Sequence, residues 1–220
     1  MSSYQDKVVD LLANADKYHR AYYVADTFRG PSLYFHQRAI ATRDLSERAT
    51  HFEYVYATLA SWGMHRMGRG GSKMQSFETF RRSLEPLEDW IAEAQAFDYR
   101  DMNNDRWVVL KEIFQGIRIM ATGTSLVGNS KVMHHILPNI VPPIDREYTL
   151  RYLRGNTNIK NDLEQEWVLM KGIIQDFFLP VASEVEFERK AKRWMAESTK
   201  YPWDTSVLKV VDNLVIGSRK

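Results

Sequence analysis

The chain of 220 residues has no cysteine. That excludes disulfides and any thiolate metal site, and it fits a reducing compartment such as the cytoplasm. Long apolar runs are missing too. None approaches the roughly 20 residues a membrane span needs. The opening stretch "MSSYQDKVVDLLANADKYHR" has no uninterrupted apolar core, so no secretory signal is expected. Charge of one sign is not in excess: 30 Lys and Arg against 28 Asp and Glu leave a net +2. Attraction to nucleic acid would therefore have to come from local clusters. No Gly/Ser- or Pro-rich linker divides the chain, and no repeat marks a solenoid. There is no Walker loop, dinucleotide fingerprint, Gly-x-Ser-x-Gly elbow or His-Glu-x-x-His.

What is present reads as helix. Apolar residues make up 44% and aromatics 12%, as in a globular protein. Phe52, Val55, Leu59 and Trp62 share one helical face, and Trp107, Leu110, Phe114 and Ile117 another. Leu163, Trp167, Met170, Ile174 and Phe177 form a third, and Phe187, Ala191 and Trp194 continue the pattern. Val207, Val210 and Leu214 either close it or belong to a Val-rich strand, for which no partner strand is visible. Pro86 should split the stretch from Ser76 to Phe97, and Pro180 should end the helix before it. Gly155 reads as a C-terminal stop. Ser183 with Glu186, and Asn161 with Glu164, have the spacing of helix starts. The expectation is an all-α fold over residues 1–220, one compact domain of about eight to ten helices.

Two stretches carry candidate chemistry. In "WGMHRMGRGGSKMQSFETFRR", Arg66, Arg69 and Lys73 surround a glycine-rich turn whose amides can approach a phosphate; a solvated surface loop is the plainer reading. Arg81 and Arg82 extend this basic cluster. In "IFQGIRIMATGTSLVGNSKVMHHILP" a helix, a turn and a second helix follow one another. With the second helix starting near Ser130, the amides around Gly128, Asn129 and Ser130 would point out of the turn, as an anion site requires. Lys131 stands in the first helical turn, where the helix dipole does not favour a cation. Pro142-Pro143 makes an extended corner, and Asp145 opens "DREYTLRYL" as a helix cap, a catalytic carboxylate, or both. The adjacent His134 and His135 diverge by about 100° on a helix and do not read as metal ligands.

The order "SLVGNSK", "VMHHIL", "PPIDREYTLRYL" resembles the helix-hairpin-helix superfamily of DNA glycosylases over about 30 of the 220 residues. That family has a hairpin of Leu-Pro-Gly-Val-Gly type, a lysine or other residue, an apolar helix, and Pro-x-Asp opening the next helix. The resemblance implies a helix-hairpin-helix unit within about 106–153 and a DNA partner. It also implies excision of a damaged base, with Asp145 catalytic and Lys131 a nucleophile. Gly128, Asn129 and Ser130, with Arg66, Arg69 and Lys73, would then hold phosphate. Aligned on Val127-Gly128, the family's lysine falls on Ser130 and Lys131 comes one place later. No metal, cofactor or membrane is implied. The alternatives are a non-catalytic helical binding protein of related architecture, or an enzyme that holds a phosphate ligand on the basic loop 66–73.

Overall fold

The computed structural model describes residues 3–25, 30–43, 48–65, 67–68 and 71–220. These form an all-α protein, apart from a two-residue antiparallel ladder in the glycine loop that pairs Met67 with Ser72 and Gly68 with Gly71. In chain order the helices are α1 (Tyr4–Ala13), α2 (Ala15–Ala25), α3 (Gly30–Thr42) and α4 (Arg48–Leu59). Then come α5 (Phe77–Leu84), α6 (Glu88–Gln95), α7 (Asn104–Gly116), α8 (Leu126–Ile136) and α9 (Arg151–Arg154). The last four are α10 (Leu163–Ile173), α11 (Leu179–Ala182), α12 (Val185–Ala196) and α13 (Val207–Gly217). No helix among the described residues is long and apolar enough to cross a membrane.

The faces read from periodicity are the faces that bury. Val55, Leu59, Leu110, Phe114, Met170, Ile174 and Phe177 are all fully enclosed in one contiguous apolar core. Local signals act largely as expected. Ser76 accepts a hydrogen bond from the amide of Thr79 and starts α5. A 3₁₀ turn at Glu85–Leu87 holds Pro86 between α5 and α6. Gly155 closes α9 with φ 71°. The Val-rich C-terminal segment is a helix, not a strand.

Three expectations need correction. The helix expected to end at Pro180 continues past it. A π-helical turn at Ile174–Phe178 widens the ladder, and Pro180 then sits in the first turn of α11, where its missing N–H costs little. The caps of α12 and α10 are Glu184 and Asp162, not Ser183 and Asn161. Each places a carboxylate against the free amides, where the helix dipole favours negative charge. Finally, α8 begins at Leu126, one turn earlier than the expected start near Ser130.

Two helices occupy the middle of the molecule. In α13 every residue but Ile216 is buried, and in α8 every residue but Val127. A helix enclosed on all sides has no solvent face for polar side chains. Lys131 on α8, and Lys209, Asp212 and Asn213 on α13, are nonetheless enclosed. Such groups persist only with partners, and finding those partners locates the site.

Candidate functional site

Lys131 is 8% exposed, and its Nζ lies 3.3 Å from Oδ2 of Asp145. Asp145 is also the cap it was expected to be. Its Oδ1 accepts from the amides of Glu147 at 2.8 Å and Tyr148 at 3.3 Å. Thr149 Oγ1 accepts from the Asp145 amide at 3.1 Å. Capping therefore occupies one oxygen and leaves the other to the amine. The carboxylate keeps about a third of its side-chain surface open, 32% against 10% for the lysine. The Pro-Pro corner and the turn after it set this geometry. Arg146–Leu150 is a π-helical turn, with the Leu150 amide bonded to the Asp145 carbonyl at 3.0 Å. A second π turn, Ala60–Met64, extends α4 and turns on Gly63 at φ 77°, a conformation costly for any other residue. It brings Trp62 over the amine, with Lys131 Nζ 5.5 Å from the ring centroid.

The ion pair stands between two recesses. One, of about 250 Å³, is lined by Trp62, Tyr22, Trp203 and Tyr148 and reaches down to Lys209 and Asp212. The other, of about 580 Å³, is wider and faces Lys73, Thr122, Gly123, Thr124 and Arg146. Lys131 and Asp145 belong to both. At the floor of the narrower recess Lys209 Nζ donates to Asp212 Oδ2 at 2.9 Å and to Asn213 Oδ1. Burial pushes the Asp212 carboxyl up from the usual range, and Lys209 opposes that shift.

Beneath Lys131 lies a layer of enclosed histidines. His134 and His135 are fully enclosed together with His36. His135 Nδ1 is 2.7 Å from the Lys131 carbonyl, which can only accept, so this nitrogen carries the proton. His135 Nε2 then accepts from His36 Nδ1 at 3.0 Å, and His36 Nε2 accepts from the Thr205 hydroxyl at 3.0 Å. All bonds in this chain suit neutral rings. Burial holds His36 and His134 well below the usual histidine range and lowers His135 to about 3.

The remaining expected site residues divide sharply. Gly128, Asn129 and Ser130 lie inside α8 and are buried, so the open turn expected around them is corrected. A Cβ on Gly128 would come within 2.8 Å of Ile119 and Met120 side-chain carbons, so this glycine serves packing. Asn129 donates to the Phe114 carbonyl at 2.8 Å, and Ser130 Oγ accepts from the Ile144 amide at 3.1 Å. The start of α8 already holds an anion of its own. Buried Glu166 accepts from the Leu126 amide at 2.6 Å, and burial raises its carboxyl despite this and the Ser125 amide. Lys73 lines the wider recess, whereas Arg66 and Arg69 fall outside the described residues. Arg81 and Arg82 are ion-paired with Glu78 on their own helix, which weakens the expected basic face. No group of three or more acidic or histidine side chains among the described residues is arranged to hold a metal.

Lys209, Asp212 and Trp203 escaped the sequence reading. One signal was available: "VLKVVDNLV" carries Lys209, Asp212 and Asn213 at i, i+3 and i+4 on an otherwise apolar helix. Comparison of the chain with protein-family models, with curated proteins and with solved structures finds no match.

Proposed function

We propose that the chain is a DNA-binding enzyme of the helix-hairpin-helix glycosylase type, which releases a damaged base turned out of the duplex into the narrower recess. The observation that carries this reading is an amine 3.3 Å from a carboxylate at the mouth of an aromatic-lined recess. Breaking a glycosidic bond builds positive charge on the sugar, and the Asp145 carboxylate, about a third open at the rim, would offset that charge. Asp145 takes a proton from Lys131, and the freed amine attacks C1′. The C–N bond breaks, and the base leaves with the bonding pair and takes the proton held by Asp145, which restores the carboxylate beside the charged sugar. Opening of the sugar ring, with one N–H proton passing to O4′, then gives a protonated lysine imine. Lys73 and the Thr122–Thr124 loop of the wider recess supply the surface along which the DNA backbone would run.

A second reading has its own support. With Gly128, Asn129 and Ser130 buried and Glu166 occupying the start of α8, that helix offers no open anion site. This favours a helical binding protein without glycosylase activity. Base release from a panel of duplexes, each carrying one altered base, decides between the two. The enzyme reading expects release by the parent chain and a loss of about 10²–10⁴-fold in Asp145→Asn, the range for a positioned acid–base group. No release from any duplex leaves only the binding protein.

A further inference from the structure

The pair at the floor of the narrower recess has no part in the chemistry above, yet it is the most deeply enclosed ionic contact on that wall. Lys209 is 3% exposed and Asp212 4%. A lysine ammonium has three N–H donors. Asp212 Oδ2 takes one and Asn213 Oδ1 another, which leaves one uncommitted. Asp212 Oδ1 has no hydrogen-bond partner among the described residues. An unused donor thus stands beside an unused acceptor, both lining a recess that opens at the Lys131–Asp145 pair. The aromatic walls converge here too, with Lys209 Nζ 5.8 Å from the Tyr22 ring centroid and 6.0 Å from that of Trp203.

We propose that Lys209 and Asp212 are the specificity-determining residues of this recess, and that they select a planar heterocycle whose edge carries a carbonyl beside a ring N–H, an oxo base. For the ligand's being a base in DNA the inference rests on the base-excision reading. The chemistry of the floor stands apart from it. Lys209 donates to the exocyclic oxygen and Asp212 Oδ1 accepts from the adjacent ring N–H. An amino base offers a ring nitrogen beside an exocyclic amine. Its acceptor is a single lone pair set back in the ring, where the carbonyl has two lone pairs on a projecting atom. Its amine is also a weaker donor than the acidic N–H of a lactam. The volume agrees: about 250 Å³ lies below the roughly 300–1,000 Å³ of sites for drug-sized ligands and suits one or two fused rings. Bases stack on aromatic walls whatever their identity, so the walls give affinity and the floor gives choice.

The test titrates the full chain with 9-methylhypoxanthine, 9-methyladenine, 1-methyluracil and 1-methylcytosine, whose methyl group blocks the nitrogen that a sugar would hold, followed by tryptophan fluorescence, and with duplexes carrying hypoxanthine or adenine at one position. Each oxo base should bind about tenfold or more tighter than its amino counterpart, the discrimination expected of a paired donor and acceptor. 1,9-Dimethylhypoxanthine, which keeps the carbonyl but has no ring N–H beside it, should lose about the same factor. In the double variant Lys209→Met with Asp212→Leu the ratio should fall to within about twofold. Replacing a buried ion pair by apolar side chains of similar size commonly preserves the fold, and thermal unfolding checks this. Equal affinity of the parent for oxo and amino bases, or no loss on N1-methylation, overturns the inference even if the double variant fails to fold. An unchanged ratio in a folded double variant overturns it as well. The two readings fail separately. Selective binding of free oxo bases without release from any duplex removes base excision and keeps the floor. Release without oxo preference removes the floor and keeps base excision.

Discussion

One recess holds two lysine–aspartate pairs, and they differ mainly in their access to water. Lys131 and Asp145 meet at the rim at 3.3 Å, with the carboxylate a third open. Lys209 and Asp212 meet at the floor at 2.9 Å, each side chain almost wholly enclosed. At the rim the carboxylate can give up the contact and be solvated, so the pair can part and accept a reacting group between its members. At the floor neither can, because an isolated charge in the interior is far more costly than a paired one. The same two residue types therefore suit chemistry in one place and recognition in the other.

The comparison breaks most readily at the floor. Lys209→Ala strands a buried carboxylate and should cost about 3–5 kcal/mol of folding stability, a large part of what a domain has. Urea unfolding measures it. A cost no larger than at the rim would mean that water already reaches Asp212. Glu166→Ala should come next, at about 1–3 kcal/mol, because it leaves the amides that start α8 without their acceptor. If urea unfolds that variant like the parent, the carboxylate is not what satisfies the helix start.

The histidine layer under the rim sharpens the contrast through pH. Native His36, His134 and His135 resist protonation, whereas the unfolded chain takes up protons as pH falls through about 6.5. Their contribution to stability is complete above that value and declines below it. The decline should be on the order of 1 kcal/mol per histidine between pH 6.5 and 5.5. Asp212 and Glu166, whose carboxyls are raised, act in the opposite sense: the folded chain takes up their protons first, a gain that is complete once the pH lies below the ordinary carboxylate range. Urea midpoints that stay level from pH 7.5 to 5.5 would show that the rings are not held neutral. The smallest effect belongs to the rim itself. Lys131→Ala should cost no more than about 1 kcal/mol, since Asp145 keeps its two amide donors and its access to water.

The sequence made one of these pairs visible and hid the other, for physical reasons. Asp145 follows a Pro-Pro corner and caps a helix, which are local facts, and Lys131 shares its short segment. The helical faces around Phe52, Leu110 and Met170 were legible because burial repeats with the helical period. Lys209 and Asp212 come from the far end of the chain. Their recess depends on Tyr22 and Trp62, which only the packing of distant helices brings alongside. The π turns at Ala60–Met64 and Arg146–Leu150 aim Trp62 and hold Tyr148, yet an i to i+5 ladder leaves no compositional trace. The start of α8 was misplaced because Ser125 makes no side-chain cap. The acceptor is Glu166, 40 residues away in sequence.

The division of labour between the two pairs is tested most directly by trapping. The full chain is incubated with a duplex from which it releases base, reduced with borohydride, and mapped by proteolysis and mass spectrometry. The sugar should be found on Lys131 alone, and the adduct should vanish in Lys131→Gln. An adduct on Lys209, or base release that leaves no adduct at all, would contradict the assignment of the reacting amine to the rim.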